Sequence, residues 1–172
     1  YFELARTFGD AVITRNSTSL EKYGRKPMLE VIDTAIVNAV KAYNLLPLFE
    51  NLKDLSGAAI TSKQYACKGA AVALLAHLYA WRGSVIELYG LEGDAPADYQ
   101  KSIDYCTLIL DKKVGFYEMQ PDPETLCAVM SKMGEYNKES IFELELNPSE
   151  TYAQTVRVLG AFLTGYPVDV NA

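Results

Sequence analysis

Three observations predict a mainly α fold, built from antiparallel helical pairs of tetratricopeptide-like type (an alpha-alpha superhelix) with one or two minor strands. Apolar residues recur at spacings of three and four along residues 27–47, 61–89 and 97–112. The middle stretch also carries a ridge made only of Gly and Ala. Strict two-residue alternation, the mark of a half-buried strand, occurs once, from Phe142 to Leu146. A strict repeat of tetratricopeptide length is not visible, so helical pairing carries the prediction.

Tyr1, Leu4, Ala5 and Phe8 share one helical face, Gly9-Asp10 ends that turn, and Ala11-Val12-Ile13 continues extended. Residues 14–26 are polar and aperiodic and read as a connecting loop. Pro27, whose fixed φ suits a first turn, opens a helix with Leu29, Ile32, Ile36, Ala39, Tyr43 and Leu46 in one stripe, ended by Pro47.

The central helix is expected from Thr61 to about Tyr89. Cys67, Ala71, Leu74, Leu78, Trp81, Val85 and Leu88 form its main stripe, and Gly69, Ala73, Ala76, Ala80 and Gly83 its small-residue ridge. Small ridges let another helix approach closely, so packing on more than one side is expected. A loop over 90–96 offers Asp94 as N-cap. The next helix spans about Ala97 to Lys112, with Tyr99, Ile103, Cys106 and Leu110 inward, and Gly115 closing it. A shorter helix is expected over 121–134, then the strand at 142–146. The tail, 147–172, holds Pro148, Gly160, Gly165 and Pro167 and stays open, with room for a short helix near Tyr152 to Leu159.

The chain has 172 residues, 49% hydrophobic and 22% charged, with net charge −6. That length suits one domain, 1–172, and the apolar content excludes general disorder. The acid excess argues against nucleic-acid binding, which needs clustered Lys and Arg. No apolar run approaches ~18 residues, so no membrane span is expected. Three cysteines with no C-x-x-C pair point to buried thiols rather than a disulfide framework or zinc site. The chain opens at Tyr1, as expected of a processed or internal piece.

Four segments in order carry a resemblance. Residues 1–13 are similar to a "YFxLVRxFGDVPL" segment. Glu30-Val31-Ile32 and Leu45-Leu46-Pro47 resemble an "EVYxxIIxDLxxAxxxLP" helix. Residues 68–79 are similar to "TKxAAxALLAxVY", and Asn137 to Leu144 match "NxESIFEI". Together they resemble the SusD/RagB family of outer-membrane glycan-capture lipoproteins of Bacteroidetes. Tyr65-Ala66-Cys67 replaces the usual "GRAT" ahead of the central helix, and Ala11 and Ile13 depart from the "VPL" ending. Family members are several times longer, so the chain looks like an internal helical portion with the lipid anchor outside it.

The resemblance implies a non-enzymatic role: capture of an oligosaccharide at the outer-membrane surface and hand-over to a SusC-like TonB-dependent transporter. The helical part would then be scaffold and transporter-facing surface. The alternative is a tetratricopeptide-like adaptor holding a protein or peptide. An apolar face left uncovered favours the first reading; a concave face lined by exposed Tyr and Asn favours the second.

No catalytic constellation assembles in the sequence, and no cofactor or metal is implied. His77 is the sole histidine and reads as structural. Trp81 is either core or a sugar-stacking platform. Glu143 and Glu145 share a strand face, as a glycosidase pair or as solvated charges. Glu92, Asp94 and Asp98 lack calcium-loop spacing. A hydrolase would need a pocket joining His77 or the Glu143/Glu145 pair to further polar groups. The candidate ligand contacts are Tyr152, Gln154 and Tyr166 in the tail.

Overall fold

The computed structural model describes residues 1–14, 16, 18, 21–130 and 138–143. All but Glu143 fall in one compact unit, Tyr1–Phe142; a second unit, Glu143–Ala172, otherwise lies outside the described residues. The tail and its expected short helix therefore lie outside them too.

Helix α1 (Phe2–Phe8) ends at Gly9, whose φ of 66° places it in the left-handed region that Gly adopts without penalty. Strand β1 (Ala11–Val12) pairs antiparallel with β2 (Arg25–Lys26), Ala11 opposite Lys26. The stretch 14–26 is thus not all loop: two exposed basic residues show no period to read, and pairing alone makes them a strand. The pairing returns the chain to α1, where Asp10 Oδ1 accepts from the Met28 N–H at 2.9 Å. That bond satisfies one of the amides left open at the start of α2 (Met28–Leu45). The stripe expected on α2 is inside, with Ile32, Ile36 and Ala39 buried and Val31 and Ala35 beside them.

Helix α3 (Lys68–Tyr89) begins seven residues after the expected Thr61. Cys67 is extended (φ −134°, ψ 172°), and the Lys68 N–H donates to the Pro47 carbonyl at 2.8 Å, tying the two helix ends together. Lys63, in the loop ahead of it, is buried with Nζ 3.9 Å from the Phe49 ring centroid and 5.0 Å from that of Tyr117. By length and composition α3 is apolar enough to cross a membrane, contrary to expectation. Burial on several sides accounts for that character: Leu75, Leu78 and Val85 face the main core, Val72 and Ile86 lie buried on adjoining faces, and Gly69, Ala76 and Gly83 form the ridge.

The ridge behaves as expected. A Cβ on Gly83 would lie 2.8 Å from Tyr99 Cε1 and 3.2 Å from the Ala95 carbonyl, and one on Gly69 would overlap the Tyr117 hydroxyl. The main stripe is only partly covered. Cys67, Ala71, Leu78 and Val85 are buried, whereas Leu74, Trp81 and Leu88 are exposed. The reason is length: α1 is about 10 Å long and cannot cover the flank of a helix of about 33 Å.

Helix α4 (Ala95–Leu110) starts under the expected Asp94 cap, which accepts from the Ala97 N–H at 3.0 Å. Of the expected inward face, Tyr99 does lie against α3 at Gly83 and Glu87, but the rest differs. Ala95 and Asp98 are buried and Ser102 and Tyr105 half-buried, while Ile103, Cys106 and Leu110 (78% exposed) point outward. Polar partners on α3 decide this: Asp98 meets Arg82, and Ser102 Oγ donates to the Ala76 carbonyl at 2.8 Å. Cys106 and Cys127 are exposed and only Cys67 is buried, which corrects the expectation of three buried thiols.

The C-terminus of α4 is closed by Lys112, not Gly115. Lys112 has φ 58°, its N–H bonds to Ile109 O, and the Lys113 N–H bonds to Leu108 O at 2.9 Å, a Schellman arrangement. Helix α5 (Pro123–Met130) follows Asp122, whose Oδ1 accepts from the Thr125 N–H at 2.7 Å. The expected continuation to 134 lies outside the described residues. Ile141 and Phe142 lie in bends with no strand pairing among the described residues, so the expected strand is not seen there; 144–146 lie outside.

The side-chain partners give the helix directions. Lys68 at the start of α3 lies over Tyr43 near the end of α2, and Arg82 near its end meets Asp33 near the start of α2. Likewise Ser102 meets Ala76 while Tyr99 meets Glu87. The successive helices run antiparallel, and the chain is the mainly helical, tandem-packed fold that its periodicity predicts.

Candidate functional site

A concave feature with apolar, aromatic and polar side chains lies between α1 and the second half of α3. It is a cavity of about 440 Å³ whose lining includes Arg6, Thr7, Trp81, Ser84, Leu88 and Tyr89. Helix α1 is held there by buried Ala5 and by Phe2, whose ring meets Trp81 edge-on at 6.4 Å and 79°. The Arg6 guanidinium lies 5.4 Å from both ring centroids, and its Nη1 pairs with Glu3 at 3.1 Å. Trp81 keeps 37% of its surface exposed. It is neither the core residue nor a bare surface ring. An adjoining cavity of about 420 Å³ shares Met28 and Tyr89 with the first and adds Asp10, Leu91 and Glu92.

Across α2, α3 and α4 runs an ionic node that the sequence reading missed. Arg82 donates through Nε to Asp33 at 2.7 Å and through Nη1 to Asp98 at 2.5 Å. Burial opposes the charge on Arg82, yet its hydrogen bonds to both carboxylates outweigh it and hold the guanidinium above its ordinary pKa. The signal was present: a lone Arg amid an Ala-rich helix needs a counter-charge when that helix is packed all round.

Beside the node, Tyr79 and Tyr105 stack at 5.8 Å and 12°, and Tyr43 meets Tyr105 edge-on at 6.4 Å. Lys101 lies 4.9 Å from the Tyr79 ring centroid. Burial raises the pKa of both Tyr79 and Tyr105, and the Asp98 charge adds to the shift on Tyr79. These phenols stay neutral and act as packing rather than as bases.

Of the residues singled out from sequence, Tyr152, Gln154, Tyr166 and Glu145 lie outside the described residues. His77 is exposed on α3. Asp94 and Asp98 serve as helix cap and ion-pair partner. Among the described residues no group of three His, Cys, Asp or Glu is placed to hold a metal ion. The arrangement offers apolar and aromatic contact with a few hydrogen-bonding groups, which is the equipment of a binding surface.

No protein-family model and no curated protein matches the chain. Among solved structures it is similar to a SusD-like protein from Bacteroides fragilis, with 22% sequence identity and a TM-score of 0.60. The match covers 88% of this chain and 26% of that one, so the chain spans about a quarter of the length of the protein it resembles. The likeness is one of fold: a helical architecture distantly related to that of SusD-like proteins.

Proposed function

We propose that the chain, residues 1–172, is the helical domain of a non-catalytic protein at the bacterial outer-membrane surface. It captures an oligosaccharide and passes it to a SusC-like TonB-dependent transporter. The observation that carries this reading is the fold likeness along 88% of the chain to a SusD-like protein, beside the four ordered sequence segments. The uncovered apolar side chains Ile103 and Leu110 on α4 favour it over the adaptor reading, because further polypeptide in a longer protein would cover them.

In this scheme the helical layer supplies rigid positioning. Its buried Asp98 carboxylate is neutralised within the scaffold by Arg82, which leaves recognition to surface rings and loops. Tyr152, Gln154 and Tyr166 are proposed as sugar contacts from the tail, and the lipid anchor as lying outside the chain.

The test is carried out on the protein as its own cell makes it, in two arms: binding to an oligosaccharide array, and co-purification with an outer-membrane transporter. Glycan binding without turnover, together with a co-purifying transporter, is the expected result. Peptide binding with no glycan binding overturns the reading in favour of the adaptor. Glycan cleavage overturns it in favour of a hydrolase.

A further inference from the structure

Building on that reading, we infer that the cavity between α1 and the second half of α3 is itself a subsite for an uncharged oligosaccharide, with the Trp81 indole as its stacking platform. Trp81 is the only tryptophan of the chain and sits on an apolar stripe, yet it remains 37% exposed. Phe2 and Arg6 fix the orientation of its ring without covering it. A ring already held in place loses little further freedom when a ligand stacks on it.

The cavity walls divide as a pyranose does. Trp81, Leu88 and Tyr89 offer apolar and aromatic surface to a C–H face, while Arg6 and Thr7 bring hydrogen-bonding groups for hydroxyls. Charge complementarity selects the ligand class. Arg6 is the charged side chain of the lining, and Glu3 neutralises it at 3.1 Å, so a neutral sugar meets no excess charge. An anionic ligand would have to displace Glu3. The cavity volume, about 440 Å³, falls in the range of small-ligand sites. Trp81 and Tyr89 stand eight residues apart on α3, about 12 Å along the axis. That separation suits a short chain of sugar units rather than a single one.

A peptide is less well served. The walls are mostly helical, so an extended peptide finds no strand edge to pair with.

Read as the emission difference between the protein and its Trp81→Tyr variant, Trp81 also reports on the cavity. The intact protein is exposed to an array of neutral gluco-, xylo-, manno- and galacto-oligosaccharides, and each binder is titrated while tryptophan emission is followed. At least one is expected to shift the emission saturably to shorter wavelength. Trp81→Ala is expected to weaken that sugar about tenfold and Trp81→Tyr less than about threefold. Tyr89→Ala, at an exposed position with little packing to lose, is expected to weaken binding with the circular dichroism unchanged, and it keeps the test valid if Trp81→Ala fails to fold. Sugar binding by calorimetry with unmoved Trp81 emission and an unaffected Tyr89→Ala protein overturns the subsite and leaves the capture reading standing. Binding of none of the sugars overturns both.

Discussion

The Arg82 guanidinium on α3 meets the Asp98 carboxylate on α4 at 2.5 Å, and Asp98 is only 3% exposed. One side chain thereby sets which face of α4 is inward, because a buried carboxylate must lie where its cation is. The same guanidinium reaches Asp33 on α2, so three consecutive helices share a single charged centre.

Removing the cation leaves the buried anion uncompensated. Arg82→Met is expected to lower unfolding free energy by roughly 3 kcal/mol, and Asp98→Asn by about 1–2 kcal/mol, since the amide still accepts a bond. Urea unfolding of the two single variants and the double Arg82→Met, Asp98→Leu checks this. The double variant recovers much of the loss. Equal, additive losses would show that the pair does not act as a unit.

Gly83 lies where α4 comes closest to α3. Gly83→Ala gains about 1 kcal/mol of helix propensity, but its Cβ would sit 2.8 Å from the Tyr99 ring and 3.2 Å from the Ala95 carbonyl. Net destabilisation of about 1–2 kcal/mol is expected from overpacking. In a Tyr99→Ala background the penalty shrinks to that of the backbone contact, and thermal melts of the four proteins measure the coupling.

Lys112 holds the left-handed position that ends α4, at φ 58°. The conformation costs a side-chain-bearing residue about 1 kcal/mol. Lys112→Gly is therefore expected to stabilise by about 0.5 kcal/mol, after loss of the Lys112 contact over the Phe116 ring at 4.2 Å. Lys112→Val, β-branched at the same φ, is expected to destabilise. A melting shift of the same sign for both would contradict the assignment.

Asp122 caps α5, and the Thr125 N–H and hydroxyl hold its carboxylate below the ordinary aspartate range. A depressed folded pKa means the cap's contribution is complete above the ordinary value and is lost as pH falls through the folded one. Protection of the Thr125 amide from hydrogen exchange should therefore persist through mild acid and collapse at lower pH. Asp122→Ala should lack it at every pH.

Local features were legible. The α2 stripe, the Asp94 cap and the small-residue ridge of α3 each depend on neighbours within a few residues, and the structure has them as the periodicity implies. The α4 stripe of Ile103, Cys106 and Leu110 was equally periodic, yet it faces outward. Apolar spacing locates a face without saying whether a partner exists for it. The alternative face, Ala95, Asp98, Ser102 and Tyr105, looks too polar for a core until Arg82 and the Ala76 carbonyl are placed opposite it.

The open cavity beside Trp81 was not legible for the same reason. That Trp81 lies on a stripe is a property of the sequence; that α1 is too short to cover it, and that Phe2 and Arg6 hold its ring, are properties of the packing. The sequence by itself determined the helical class, the order of the described α-helices and the close approach of helices to α3, because helical periodicity and side-chain size are written residue by residue. The tertiary structure alone decided which faces meet. The energy of a buried charge or hydrogen bond depends on a partner far along the chain, and no local pattern contains it.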